Sequence, residues 1–199
     1  MQRRDCERVL GAEGAQYKFI WKGCEQGTSG VGVLIAERWI DDVIEVRRVS
    51  ERIIVIRFRL GKSVVNLISV YAPQVGRPRE EKEEFLALLG KVLYGISDTE
   101  GLVVCGDLNG HVGAKCDGFE GVHGGNGFGV RNVEGEMLLE FADAMDLVVA
   151  NTWFQKPEEK KVTYASGGNE SVVDYVLVRK RDRKMVRDVK IISGESCLS

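Results

Sequence analysis

No apolar run in these 199 residues approaches the roughly 20 needed to span a bilayer. A membrane is therefore not an expected partner. The opening Met-Gln-Arg-Arg-Asp-Cys-Glu-Arg has no apolar core segment, so no secretory signal is expected. An excess of one charge is also missing. Lys and Arg number 28 against 30 Asp and Glu, a formal net charge of −2. Overall charge gives no push toward nucleic acid, and any such contact must come from local patches. A disulfide framework is lacking too. The five cysteines, Cys6, Cys24, Cys105, Cys116 and Cys197, are scattered and odd in number. That pattern suits reduced thiols, in nucleus or cytoplasm alike, rather than secretion. Cys105, His111, Cys116 and His123 fit no common zinc spacing.

What is present is an ordinary globular composition, 44% hydrophobic and 29% charged. The length suits one sizeable core, so a single domain over 1–199 is expected. Nothing in the composition specifies an oligomeric state. Residues 1–16 show no clear period and read as irregular. Short strands follow at 17–21, 31–37, 43–49, 53–60 and 64–71. Gly61-Lys62-Ser63 resembles the tail of a phosphate-binding P-loop, but position 56 holds Ile where that motif needs Gly, so a hairpin turn is expected. Phe85, Leu88, Leu89, Val92 and Leu93 form one apolar stripe, which predicts a helix over 77–94. The acids Glu80, Glu81, Glu83 and Glu84 read as its solvated start. Residues 109–132 form a long glycine-rich loop, and 134–145 a second helix. Strands are expected at 147–150, 162–164, 172–178 and 185–192. Most strands neighbour other strands, which disfavours a strictly alternating order.

The stretch Leu102 to Asn109, Leu-Val-Val-Cys-Gly-Asp-Leu-Asn, carries the most chemistry. An apolar strand ending in Asp107 and Asn109 presents polar side chains at its C-terminal lip, where open α/β sheets bind ligands. A strand followed by an ordinary Asx turn reads equally well in isolation. Tyr71 ends another strand. Asp174 interrupts the apolar run Val172-Val173-Asp174-Tyr175-Val176. A carboxylate on a buried strand is costly unless paired, hydrogen-bonded or metal-linked. Phosphoester hydrolysis uses such groups: a carboxylate for water, amides for phosphate oxygens and a cation for the growing charge. The plainer reading of Asp174 is an acid satisfied by a nearby Arg or Thr.

Tyr71-Ala72-Pro73, Gly106-Asp107-Leu108-Asn109 and Val173-Asp174-Tyr175-Val176 resemble, in order and context, the endonuclease/exonuclease/phosphatase superfamily. His111-Val112-Gly113, the glycine loop, Arg131-Asn132, Gly135, Leu138-Leu139-Glu140-Phe141 and Asn151-Thr152-Trp153-Phe154 resemble endonuclease domains of non-LTR retrotransposons and host domains derived from them. The resemblance implies a four-layer α/β sandwich, two packed mixed β-sheets flanked by helices. It implies a Mg²⁺-dependent phosphodiesterase or phosphatase, with Mn²⁺ as a substitute, and DNA as a partner. By motif match Asp107 orients or deprotonates the attacking water, and lies near any metal. Asn109 binds the phosphate, and Tyr71 supports the phosphate or leaving-group side. Asp174 holds a catalytic histidine in its working tautomer. Gln74, where relatives often carry asparagine, and Asn151 join Asn109 as substrate-binding candidates.

The resemblance also implies a metal-binding glutamate before the region matching residues 15–36, and a Ser-x-His after residue 192. Glu7 and Glu13 have nothing apolar to place them at a sheet lip. His111 and His123 both follow Asp107 in the loop, where no catalytic histidine is expected. The chain thus reads as the middle of such a domain, truncated at both ends, with catalysis impaired. A non-catalytic remnant that binds DNA or protein is the alternative. The basic run Arg179, Lys180, Arg181, Arg183, Lys184, Arg187 and Lys190 reads as a phosphate-contact ridge or as a solvated hairpin edge. Trp153 and Phe154 read as core aromatics or as nucleic-acid contacts.

Overall fold

A computed structural model describes residues 5–12, 15–25, 27 and 29–192, with side chains from residue 16 onward. The described residues fall into two compact units, Met1–Asp107 and Leu108–Ser199.

The first unit holds two sheets. Strands β1 (Asp5–Ala12), β2 (Ala15–Gly23) and β3 (Gly30–Ala36) form one. It is antiparallel throughout rather than mixed. Strands β4 (Val43–Ser50), β5 (Ile53–Leu60), β6 (Ser63–Tyr71) and β7 (Gly101–Asp107) follow one another across the second. This one is mixed: β4 to β6 are antiparallel, and β6 and β7 are parallel. The long connection that a parallel pair requires is made by α1 (Arg79–Tyr94). Ile20, Val31 and Ile35 of the first sheet pack with Ile54 and Ile56 of the second. Ile53 and Val55 point the other way on β5 and are buried too, so both faces of that strand are covered. This is why 53–56 reads as an unbroken apolar run. The turn at Gly61 closes a hairpin between Leu60 and Ser63, with Gly61 at φ +62°, as expected.

Residues 5–12, read as irregular, pair with β2 from Asp5↔Lys22 to Ala12↔Ala15. Charged residues and Gly11 hide any alternation, and the ladder to β2 supplies the order that local pattern does not. Glu7 lies opposite Ile20 in that ladder. Glu13 and residues 193–199, where the resemblance implies a Ser-x-His ending, lie outside the described residues.

In the second unit, α2 (Val133–Ala144) is followed by β8 (Leu147–Val149), the hairpin β9 (Tyr164–Ser166) with β10 (Asn169–Ser171), and β11 (Asp174–Arg179). Strands β8 and β11 are antiparallel. The strand expected at 185–192 is a correction. A 3₁₀ turn spans Lys180–Met185, and residues 186–192 have no regular structure. The dense like charges of Lys180–Lys190 fit neither face of a buried ladder.

The glycine-rich loop is ordered by two side chains and a close backbone approach. Arg131 donates to the carbonyls of Val112 (3.1 Å), Lys115 (3.0 Å), Cys116 (2.7 Å) and Asp117 (3.2 Å), and pairs with Glu136 at 3.0 Å. Asn132 caps α2: its Oδ1 accepts from Gly135 N at 2.8 Å and also from His111 N at 2.9 Å. Gly135 is required because a Cβ there would stand 1.8 Å from His111 O. Replacing Asn132 by Ala strands two donors at once. An N-cap loss usually costs about 1 kcal/mol, so about 2 kcal/mol is expected, read from urea unfolding. A shift below about 0.5 kcal/mol would show that the cap carries no strain of the loop.

Candidate active site

In the first unit the parallel ladder places Tyr71 in register with Asp107 at the ends of β6 and β7. Both are half-buried. Register partners in a parallel pair share a face, so phenol and carboxylate emerge side by side. The lip is locked by main-chain contacts. Ala72 N donates to Asp107 O at 2.8 Å, and Tyr71 N to Arg52 O at 3.0 Å. Gly106 sits at φ +140°, where an added Cβ would lie 2.0 Å from Val70 O. Only glycine lets β7 approach β6 this closely immediately before Asp107. Gln74 is exposed and its Nε2 reaches Tyr71 Oη at 3.3 Å. Arg52, on the β4–β5 turn, lies with its guanidinium carbon 5.5 Å from the Tyr71 ring centroid. Nothing in the sequence singles it out. Cys105, one residue before Gly106, has its thiol pKa pushed up by burial, as suits a packing residue.

In the second unit Asn109 adopts φ +48°, a left-handed conformation that asparagine tolerates better than most residues. It is two residues beyond Asp107. Leu108 N donates to Val173 O at 2.8 Å, which sets the Asn109 turn beside the residue before Asp174. Asn151 and Asp174 are brought together: Asn151 Nδ2 donates to Asp174 O at 3.2 Å, and Val176 N to Asn151 Oδ1 at 2.8 Å. Asn151 therefore spends its amide on holding the start of β11. Asp174 is a correction. It is the first residue of β11 and is exposed, so no buried charge has to be compensated there. Its main-chain N–H donates to Thr163 Oγ1 at 3.2 Å. The apolar run that suggested burial starts its strand two residues later than expected.

His123 does not stand as a partner for Asp174. His123 is 1% exposed. Its Nε2 bonds Gly113 O at 3.1 Å and its Nδ1 accepts from Gly125 N at 3.0 Å, which makes it the neutral Nε2–H tautomer. Burial holds its pKa below the ordinary 6.5, and Arg131 lowers it further against Gly113 and Asp117. An unfolded chain then takes up this proton before the folded one. The stability His123 contributes is complete above about pH 6.5 and falls as pH drops toward the lowered folded value. Urea midpoints at pH 7.5 and 5.5 should show this loss, and His123→Gln should flatten it. An unchanged slope in that variant would contradict the assignment.

The basic run is not a hairpin edge: it passes through the 3₁₀ turn, and Lys180, Arg181, Lys184, Arg187 and Lys190 are exposed. Arg183 stacks 4.2 Å over the Trp153 ring, whose Nε1 donates to Val122 O at 3.1 Å. Asp188 takes Lys156 at 2.6 Å and Lys190 at 3.8 Å. The hydrogen bond from Lys156 holds the Asp188 carboxyl below its usual range. Trp153 and Phe154 are each half-buried.

A Mg²⁺ site needs oxygen donors gathered around the ion. Among the described residues no three His, Cys, Asp or Glu side chains are grouped so as to hold a metal. Within its unit Asp107 stands beside the neutral Tyr71 and Gln74. The described donors therefore do not fit a self-sufficient Mg²⁺ site.

No family model matches this chain. Over 171 residues it is 30% identical to craniofacial development protein 2 of Bos taurus, covering 85% of this chain and 28% of that protein. The chain thus spans under a third of its curated relative. Its fold is similar to the endonuclease domain of TRAS1, a telomere-specific non-LTR retrotransposon. The TM-score is 0.57 at 17% identity, covering 88% of this chain and 66% of that one. It is also similar to an endonuclease/exonuclease/phosphatase family protein from Leptotrichia buccalis, with TM-score 0.52 and 15% identity over 81% of this chain and 60% of that one. This chain has the endonuclease/exonuclease/phosphatase fold. The α/β class and family likeness read from the motifs are borne out. The sequence singles out Tyr71, Asp107 and Asn109 as candidates, and it does not point to the contacts of Arg52 and Thr163 or to the loop role of His123. No helix among the described residues is long and apolar enough to cross a membrane.

Proposed function

We propose that this chain is a phosphodiester-hydrolase domain of the endonuclease type, acting on DNA and descended from a non-LTR retrotransposon. The lip formed by Tyr71 and Asp107 in register carries this reading. The ordered motifs and the likeness to a retrotransposon endonuclease domain support it. Asp107 orients or deprotonates the attacking water. The Asn109 amide, in the left-handed turn after Asp107, binds a non-bridging phosphate oxygen. Tyr71, held by Gln74, supports the phosphate or leaving-group side. Asp174, by the resemblance, would hold a catalytic histidine in its working tautomer, a role that His123, bonded at both ring nitrogens, does not fill. Mg²⁺, or Mn²⁺ in its place, is the cofactor the resemblance implies. It would offset phosphate charge when bound, although the described donors do not fit it.

That misfit favours a second reading, a domain that grips DNA or a protein without cutting. Supercoiled plasmid incubated with the chain in Mg²⁺, and separately in EDTA, separates the two. The hydrolase reading expects slow, Mg²⁺-dependent nicking. Salt-sensitive DNA binding without nicking would overturn it in favour of the binding role.

A further inference from the structure

We propose that Arg52 is a positioning residue for Tyr71, a reading that rests on the hydrolase assignment. Arg52 meets Tyr71 three times. Its carbonyl accepts the Tyr71 N–H at 3.0 Å. Its Nη1 donates back to Tyr71 O at 3.3 Å. Its guanidinium lies over the ring, 5.5 Å from the centroid. The other amino group, Nη2, donates to Glu81 Oε1 at 2.9 Å. Glu81 is itself anchored, since Oε2 accepts from Arg77 Nε at 2.7 Å. The Arg77 hydrogen bond, with Arg52 adding to it, keeps the Glu81 carboxyl below its usual range. The side chains of Arg52 and Glu81 are only 17% and 26% exposed.

This geometry assigns Arg52 a task and excludes another. Both amino groups are committed, so Arg52 does not swing out to bind phosphate. A cation over an aromatic face fixes the plane of the ring, and the ring plane fixes where the hydroxyl points. Gln74, three residues after Tyr71 in the segment that follows β6, meets that hydroxyl at 3.3 Å. Strand β6, the β4–β5 turn and the first turn of α1 thus hold one phenol beside Asp107. A planar fork is needed to bond a carbonyl, a carboxylate and a ring face together, and lysine cannot supply it.

A staple that merely holds the turn to α1 would show the same contacts. It would not act through the Tyr71 hydroxyl. The full chain labelled with 3-fluorotyrosine reports this by ¹⁹F NMR, the Tyr71 signal being assigned from Tyr71→Phe. Arg52→Lys and the milder Glu81→Gln should each shift and broaden that signal while leaving the other tyrosines in place. In plasmid nicking, Arg52→Lys should lower kcat about tenfold with KM within about twofold, and the loss should vanish in a Tyr71→Phe background. An unmoved Tyr71 signal in both folded variants, or a kcat loss that persists without the hydroxyl, would overturn the proposal. If the parent chain does not nick DNA, the hydrolase reading fails, and the fluorine signal alone decides whether Arg52 positions Tyr71.

Discussion

Gly106→Ala should lose about 3–5 kcal/mol of stability, enough to unfold much of a domain of ordinary marginal stability. Two costs add. The backbone at φ +140° disfavours any residue with a Cβ. The new methyl would also stand 2.0 Å from Val70 O, a main-chain atom within the parallel ladder that cannot rotate away. Relief requires β7 to part from β6, which breaks the register of Tyr71 with Asp107. Gly118→Ala is the control. Gly118 also has positive φ, +90°, yet nothing lies within 4 Å of where its Cβ would stand. It should lose about 1 kcal/mol from backbone strain alone. Equal urea midpoints for the two variants would show that the close approach at Val70 is not what requires glycine.

Asp107→Ala should slow Mg²⁺-dependent nicking by about 10²–10⁴-fold, the span usual for removing a general base. That is about 3–5 kcal/mol of transition-state stabilisation. Stability should change by less than about 1 kcal/mol, because the carboxylate is half-buried at a strand end and its main-chain carbonyl, which accepts from Ala72 N at 2.8 Å, is untouched. Asp107→Asn keeps the shape and removes the charge. It should be nearly as slow if the carboxylate takes a proton, and nearly as fast as the parent if Asp107 only orients water by hydrogen bonding.

The sequence made legible what is written in short periods. The stripe from Phe85 to Leu93 is α1, and the runs at 53–60 and 64–71 are β5 and β6 to within a residue. Tyr71, Asp107 and Asn109 were legible because strand ends are marked by a switch from apolar to polar residues. Strand β1 was not, since its order comes from pairing with β2 rather than from its own pattern. Asp174 misled because an apolar run looks the same whether a strand begins inside it or before it. The contact of Arg52 with Glu81 joins residues 29 apart in sequence, and no local pattern announces it. Arg131, Asn132 and Gly135 were legible as a motif but not as a mechanism. Their role is to hold a loop, through main-chain carbonyls and a close approach at His111 that only the folded chain reveals.

The most direct test of the central claim is the single-turnover nicking rate of supercoiled DNA by the 199-residue chain and by Asp107→Ala, both shown folded by their urea midpoints. The hydrolase account predicts nicking by the parent chain in Mg²⁺, none in EDTA, and a rate at least about 10²-fold lower in the variant. Equal rates in the two proteins, or no nicking by a folded parent chain that binds the same DNA, would contradict it.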